Sequence, residues 1–111
     1  MKILPEQLNI VIAHFERLLL LAKQLGDIGV DIHGHEYDPH FSETWKIIAG
    51  SYRHRFQFRW DGNVCVLTVS EAFFDILGAS EGNWKELRKV HIDVSIGAVA
   101  PFKYVNDFFS N

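Results

Sequence analysis

SYRHRFQFRWDGNVCVLTVS, residues 51–70, is the stretch that decides the fold. Tyr52, His54, Phe56, Phe58 and Trp60 alternate with Arg53, Arg55, Gln57 and Arg59. That period of two marks a strand buried on one side. Asp61-Gly62 predicts a two-residue type I′ turn, because Gly accepts positive φ and Asp tolerates it. Such a turn sets Trp60 opposite Asn63, Phe58 opposite Cys65, Phe56 opposite Leu67 and His54 opposite Val69, on one face. Arg59–Val64, Gln57–Val66, Arg55–Thr68 and Arg53–Ser70 pair on the other.

The preceding segment extends the sheet. Gly50-Ser51 reads as a second two-residue turn, with a bulge at Gly50 as the competing reading. The turn sets Ala49 opposite Tyr52, Ile47 opposite His54 and Trp45 opposite Phe56. Trp45 and Ile47 then join the aromatic face. Lys46 falls on the arginine face opposite Arg55, an unfavourable pair.

A helix is predicted over Pro5–Leu25, with Pro5 in its first turn and Gly26 just past its end. Leu4, Leu8, Val11, Phe15, Leu18, Ala22 and Leu25 form one apolar seam. Ile10, Ile12, Leu19, Leu20 and Leu21 lie outside it. A helix apolar over so much of its circumference is either sandwiched within its own domain or covered by another chain. We favour a homodimer through Ile12, Leu19, Leu20 and Leu21.

Residues 26–43 read as a polar connection, with an optional short edge strand around Val30 and Ile32; Pro39 argues against a central strand. Ser70 caps a short helix through Leu77, closed by Gly78, with Phe73, Ile76 and Leu77 facing the core. Ala79–Asn83 is a loop and Trp84–Arg88 a turn. Val90, Ile92, Val94 and Ile96 alternate with His91, Asp93 and Ser95 as a strand; the competing helix over 84–98 is outweighed by β-branched content. Pro101 opens a final helix with Phe102, Val105 and Phe109 on one face.

The fold class is therefore α+β: a mostly antiparallel sheet with a long N-terminal and a short C-terminal helix packed on one face. A half-barrel curling around the long helix is a variant of it. With 111 residues, 48% of them hydrophobic, residues 1–111 read as a single domain. A net charge of −3 gives no bulk attraction to nucleic acid or anionic membrane. Cys65 is the one cysteine; it has no partner for an internal disulfide and is expected on the core face. No apolar run suffices for a membrane span, and no signal peptide is visible, so a cytoplasmic setting is expected.

Three constellations carry chemistry. His33, His35 and His40, in the string HGHEYDPH, offer ligands for a divalent ion, and His33 and His35 point the same way in an extended chain. The spacing departs from the HxHxDH motif of the metallo-β-lactamase fold, which also needs roughly twice this chain. The preferred reading is a solvated polar loop, and no cofactor is expected. Lys46, Arg53, Arg55 and Arg59, with Lys89 and His91 nearby, form a basic sheet face. Its predicted separation from the aromatics undercuts base stacking, so an acidic protein partner is preferred to nucleic acid. Finally, Trp45, Tyr52, His54, Phe56 and Trp60 either fill the core or line a small-molecule pocket between sheet and helix.

No nucleophile elbow and no acid/base pair of carboxylates is visible. The expected role is a non-catalytic interaction module, homodimeric or partner-binding. The alternative is a small-molecule-binding domain, enzymatic or not.

Overall fold

The chain runs α1 (Pro5–Asp27), β1 (Asp31–Asp38), β2 (Thr44–Gly50), β3 (His54–Asp61), β4 (Val66–Phe73), β5 (Lys85–His91) and α2 (Ala100–Ser110). The structure is a computed structural model describing residues 5–40, 43–74, 84–95 and 97–110, with side chains from Leu8 onward. The five strands form one antiparallel sheet in the order β1-β2-β3-β4-β5. Both helices pack on one face, giving the expected α+β architecture. Leu21 and Leu25 of α1 and Phe102 and Val105 of α2 close over Ile47, Phe58, Leu67 and Val69. No described helix is long and apolar enough to cross a membrane.

Both central turns are wider than two residues. Trp60 pairs with Leu67, Phe58 with Val69, Phe56 with Glu71 and His54 with Phe73. The Asp61 carboxylate accepts the Asn63 N–H at 2.9 Å, which holds Asp61 as the last residue of β3. Cys65, not a strand residue as predicted, sits at the end of this loop with a left-handed φ of 54°. It is half-buried there. At the other turn Ala49 pairs with Phe56, Ile47 with Phe58 and Trp45 with Trp60. The Ser51 N–H donates to the His54 carbonyl at 3.0 Å. Gly50 is required there: at φ 149° a Cβ would lie 2.4 Å from the His54 carbonyl oxygen. Both partner shifts are even, so the aromatic and cationic faces survive them.

Four other expectations are corrected. Residues 31–38 are a full edge strand, with a bulge between Ile32 and Gly34. Residues 70–73 continue β4 instead of starting a helix, and Phe73 is 67% exposed, not in the core. The rest of that proposed helix and the 79–83 loop lie outside the described residues. Residues 85–88 are strand, not turn, while the strand ends at His91. There β4 has run out of pairing partners, and Asp93 turns the chain by accepting the Ser95 N–H at 2.8 Å.

Helix α1 overruns its expected end. Gly29, at φ 80°, is the left-handed residue past it, and Val30 N–H donates to the Leu25 carbonyl at 2.9 Å. This six-to-one bond, with Gly29 bonding Gly26, is a Schellman stop. The buried seam is His14, Leu18, Leu21 and Leu25: Leu18 and Leu25 belong to the predicted seam, while His14 and Leu21 stand in place of Phe15 and Ala22. A histidine occupies a core position, so a search for apolar spacing selects Phe15 instead.

Candidate interaction face

The outer face of the sheet carries no helix among the described residues. It is concave and bounds a groove of about 760 Å³. Lys46, Arg55, Arg59 and Lys89 line it; among the described residues Glu36 pairs with Lys46 and Glu86 lies 3.9 Å from Lys89. A chain of net charge −3 thus gathers cations on one surface, which focuses its field there. Gln57 and Ser70, directly opposite each other on β3 and β4, form a recessed polar floor, each 8% exposed.

Strand register places these groups. Lys46 lies opposite Arg59, not Arg55 as predicted. The like-charge pair is relieved from β1, where Glu36 is the direct cross-strand partner of Lys46 at 3.3 Å. Arg53 is not on this face at all; it sits in the β2–β3 turn, and its carbonyl accepts the Phe74 N–H. Arg59 is exposed and reaches the groove without an ion pair among the described residues.

Arg55 is the best-organised group. Its Nε donates to the Tyr52 carbonyl at 3.1 Å. Its guanidinium lies 4.1 Å from the Phe74 ring centre and 5.6 Å from that of Tyr52. Trp84 packs edge-on against Phe74, ring centres 6.1 Å apart. Aromatics therefore stand on the same surface as the arginines. The sequence reading missed this because Phe74 and Trp84 lie just beyond the ends of β4 and β5, where alternation no longer dictates a face.

The predicted aromatic pocket is dispersed. Tyr52 lies on the outer turn, Phe56 packs against Phe108 and Phe109 of α2, and Trp45 and Trp60 are core residues at the other end of the strands. His54 bonds Glu71 at 2.9 Å and stacks on Phe73. The predicted dimer face also divides. Leu21 is 1% exposed in the core, whereas Ile12, Leu19 and Leu20 are exposed, Leu20 beside α2. The uncovered stripe is Leu8, Ile12, Phe15 and Leu19.

The bulge in β1 overturns the parallel orientation expected of His33 and His35. His33 lies at the groove, its Nε2 donating to the Gly50 and Ser51 carbonyls. His35 points to the helix side, its Nε2 2.8 Å from that of His14. His40 pairs with Asp38 in the following turn. Among the described residues no three His, Cys, Asp or Glu side chains converge as metal ligands.

His14 and His35 share one hydrogen bond, so one imidazole N–H donates to the other's lone pair. Tyr37 stacks on His14 with ring centres 3.6 Å apart. Burial, then the neighbouring His35 and Arg17, push the His14 pKa down to about 4. Burial also lowers that of His35, against Glu36. Both rings are neutral at pH 7. Nothing in the pattern of α1 announces this cluster, since a lone histidine on an apolar seam reads as an interruption.

No family model matches this chain, and no similar curated protein or solved structure is found. Its function has to be argued from the site.

Proposed function

We propose that this protein is a non-catalytic binding module that holds an acidic segment of a partner protein on its open sheet face. The observation that carries the reading is Arg55, fixed between Tyr52 and Phe74 at one end of a cationic groove. A guanidinium immobilised before binding loses little entropy when it takes a carboxylate in two parallel hydrogen bonds. Arginine, tyrosine and tryptophan together are also the residues in which interface energy concentrates. Lys46, Arg59 and Lys89 extend the positive surface and steer an acidic chain toward it. A cytoplasmic setting goes with this reading, since Cys65 has no internal disulfide partner.

The test is fluorescence anisotropy with a labelled oligoglutamate peptide containing one aromatic residue, beside labelled oligothymidylate and oligolysine. The peptide is expected to bind saturably and to lose affinity with salt. Arg55→Ala and Arg59→Glu are each expected to weaken it about tenfold or more. Binding of oligothymidylate alone, or peptide binding indifferent to both substitutions, overturns the reading. Both positions lie outside the core, and circular dichroism checks that the variants fold.

A second reading rests on a different surface. Leu8, Ile12, Phe15 and Leu19 form a continuous exposed stripe on α1, with Leu19 70% exposed. A second copy of the chain covering this stripe makes a homodimer. Light scattering of the wild type and of Leu19→Glu decides it: a dimer lost on substitution supports it, and a wild-type monomer at high concentration removes it.

A further inference from the structure

Beneath the sheet, on the side away from the groove, a small recess lies between α1, α2 and the adjoining ends of β2 and β3. It measures about 90 Å³, room for roughly three waters at liquid density. Trp45, Trp60 and Phe102 wall it, and His14, Arg17 and Glu43 supply its polar groups. Arg17 and Glu43 carry opposite charges, yet neither takes part in an ion pair among the described residues.

Glu43 holds a left-handed backbone, φ 55°. Such strain in a residue with a side chain collects where a group must be aimed.

The combination selects its ligand. A free carboxylate would meet Glu43 as well as Arg17, and a free amine would meet Arg17 as well as Glu43. A zwitterion satisfies both charges at once. The aromatic walls suit an ammonium group, and neutral His14 adds no third charge. The volume admits only the smallest members of the class. We infer that this recess binds a small α-amino acid of glycine or alanine size. Arg17 holds its carboxylate, and Glu43 holds its ammonium beside Trp45 and Trp60.

Calorimetry and intrinsic tryptophan fluorescence test this with glycine, L-alanine, L-leucine, acetate and methylamine on the whole chain. Glycine or L-alanine is expected to bind saturably and to change the tryptophan emission, with L-leucine, acetate and methylamine much weaker. Arg17→Met and Glu43→Gln are each expected to weaken binding about tenfold. Both side chains are only half-buried, so the variants keep the core. Arg55→Ala, on the opposite face, is expected to leave this binding unchanged. Absence of saturable glycine or L-alanine binding by the wild type at millimolar concentration overturns the inference. Equal binding of acetate and glycine, untouched by Glu43→Gln, overturns it as well.

Discussion

Gln57 and Phe58 are chain neighbours on β3, and both are buried, but they are buried by different things. Phe58, 0% exposed, is sealed under α2 by Phe108 and Phe109. Gln57, 8% exposed, is recessed at the floor of the groove among the side chains of the neighbouring strands. One face of the sheet is closed by the protein itself. The other is shaped and charged, and no described helix covers it. A face that exists to support the fold is packed on both sides, whereas a face kept concave, polar and cationic is organised for something that arrives from outside.

The largest expected effect tests that contrast directly. Phe58→Ala should lower stability by about 3–5 kcal/mol, the usual cost of emptying an aromatic site in a closed core. Gln57→Ala should change it by less than about 1 kcal/mol, since the groove already opens to water. Urea unfolding of both variants measures the difference, and similar losses would erase the distinction between the faces.

Acid should attack the closed face before the open one. The folded His14 pKa, about 4, lies below its ordinary 6.5. Between those values the unfolded chain binds more protons than the native one, so stability falls as pH falls. The contribution is complete above pH 6.5 and is lost by about pH 4, amounting to about 3 kcal/mol. In His14→Phe the slope of stability between pH 6.5 and 5 should flatten, leaving the smaller share of His35. A slope unchanged by the substitution would detach the imidazole pair from this behaviour.

A loss of stability smaller than that of Phe58→Ala should have the clearest effect on binding. Gly50→Ala drives a methyl into the His54 carbonyl and forces the β2–β3 turn to move. The expected cost is about 1–3 kcal/mol. That turn carries Tyr52, whose carbonyl holds Arg55. Oligoglutamate affinity should therefore drop in Gly50→Ala although every groove cation is still present. Unchanged affinity would mean that Arg55 needs no fixing.

The faces of the sheet were legible because side-chain orientation along a strand repeats every two residues. Both turns are two residues wider than Asp61-Gly62 and Gly50-Ser51 suggest, and each pairing partner moves by four. Every inward residue of β3 still faces inward. What alternation cannot reach is what the reading lost. The bulge at His33 reverses one histidine relative to the next. Phe74 and Trp84 turn onto the cationic surface beyond the strand ends. His14 enters the core because His35 and Tyr37, twenty or more residues away, give its ring a hydrogen bond and a stacking partner. Polar residues in a core are chosen by partners that sequence spacing does not display.

Each strand pairs with its neighbour along the chain, so the meander can zip up one hairpin at a time at little loop-closure cost. The helices obey the opposite schedule. Leu21 and Leu25 are made before any strand, yet their cover, Phe102 and Val105, follows all five strands along the chain. The nascent chain therefore completes its sheet before α2 can roof it, and the half-covered face stays open to aggregation until α2 is made.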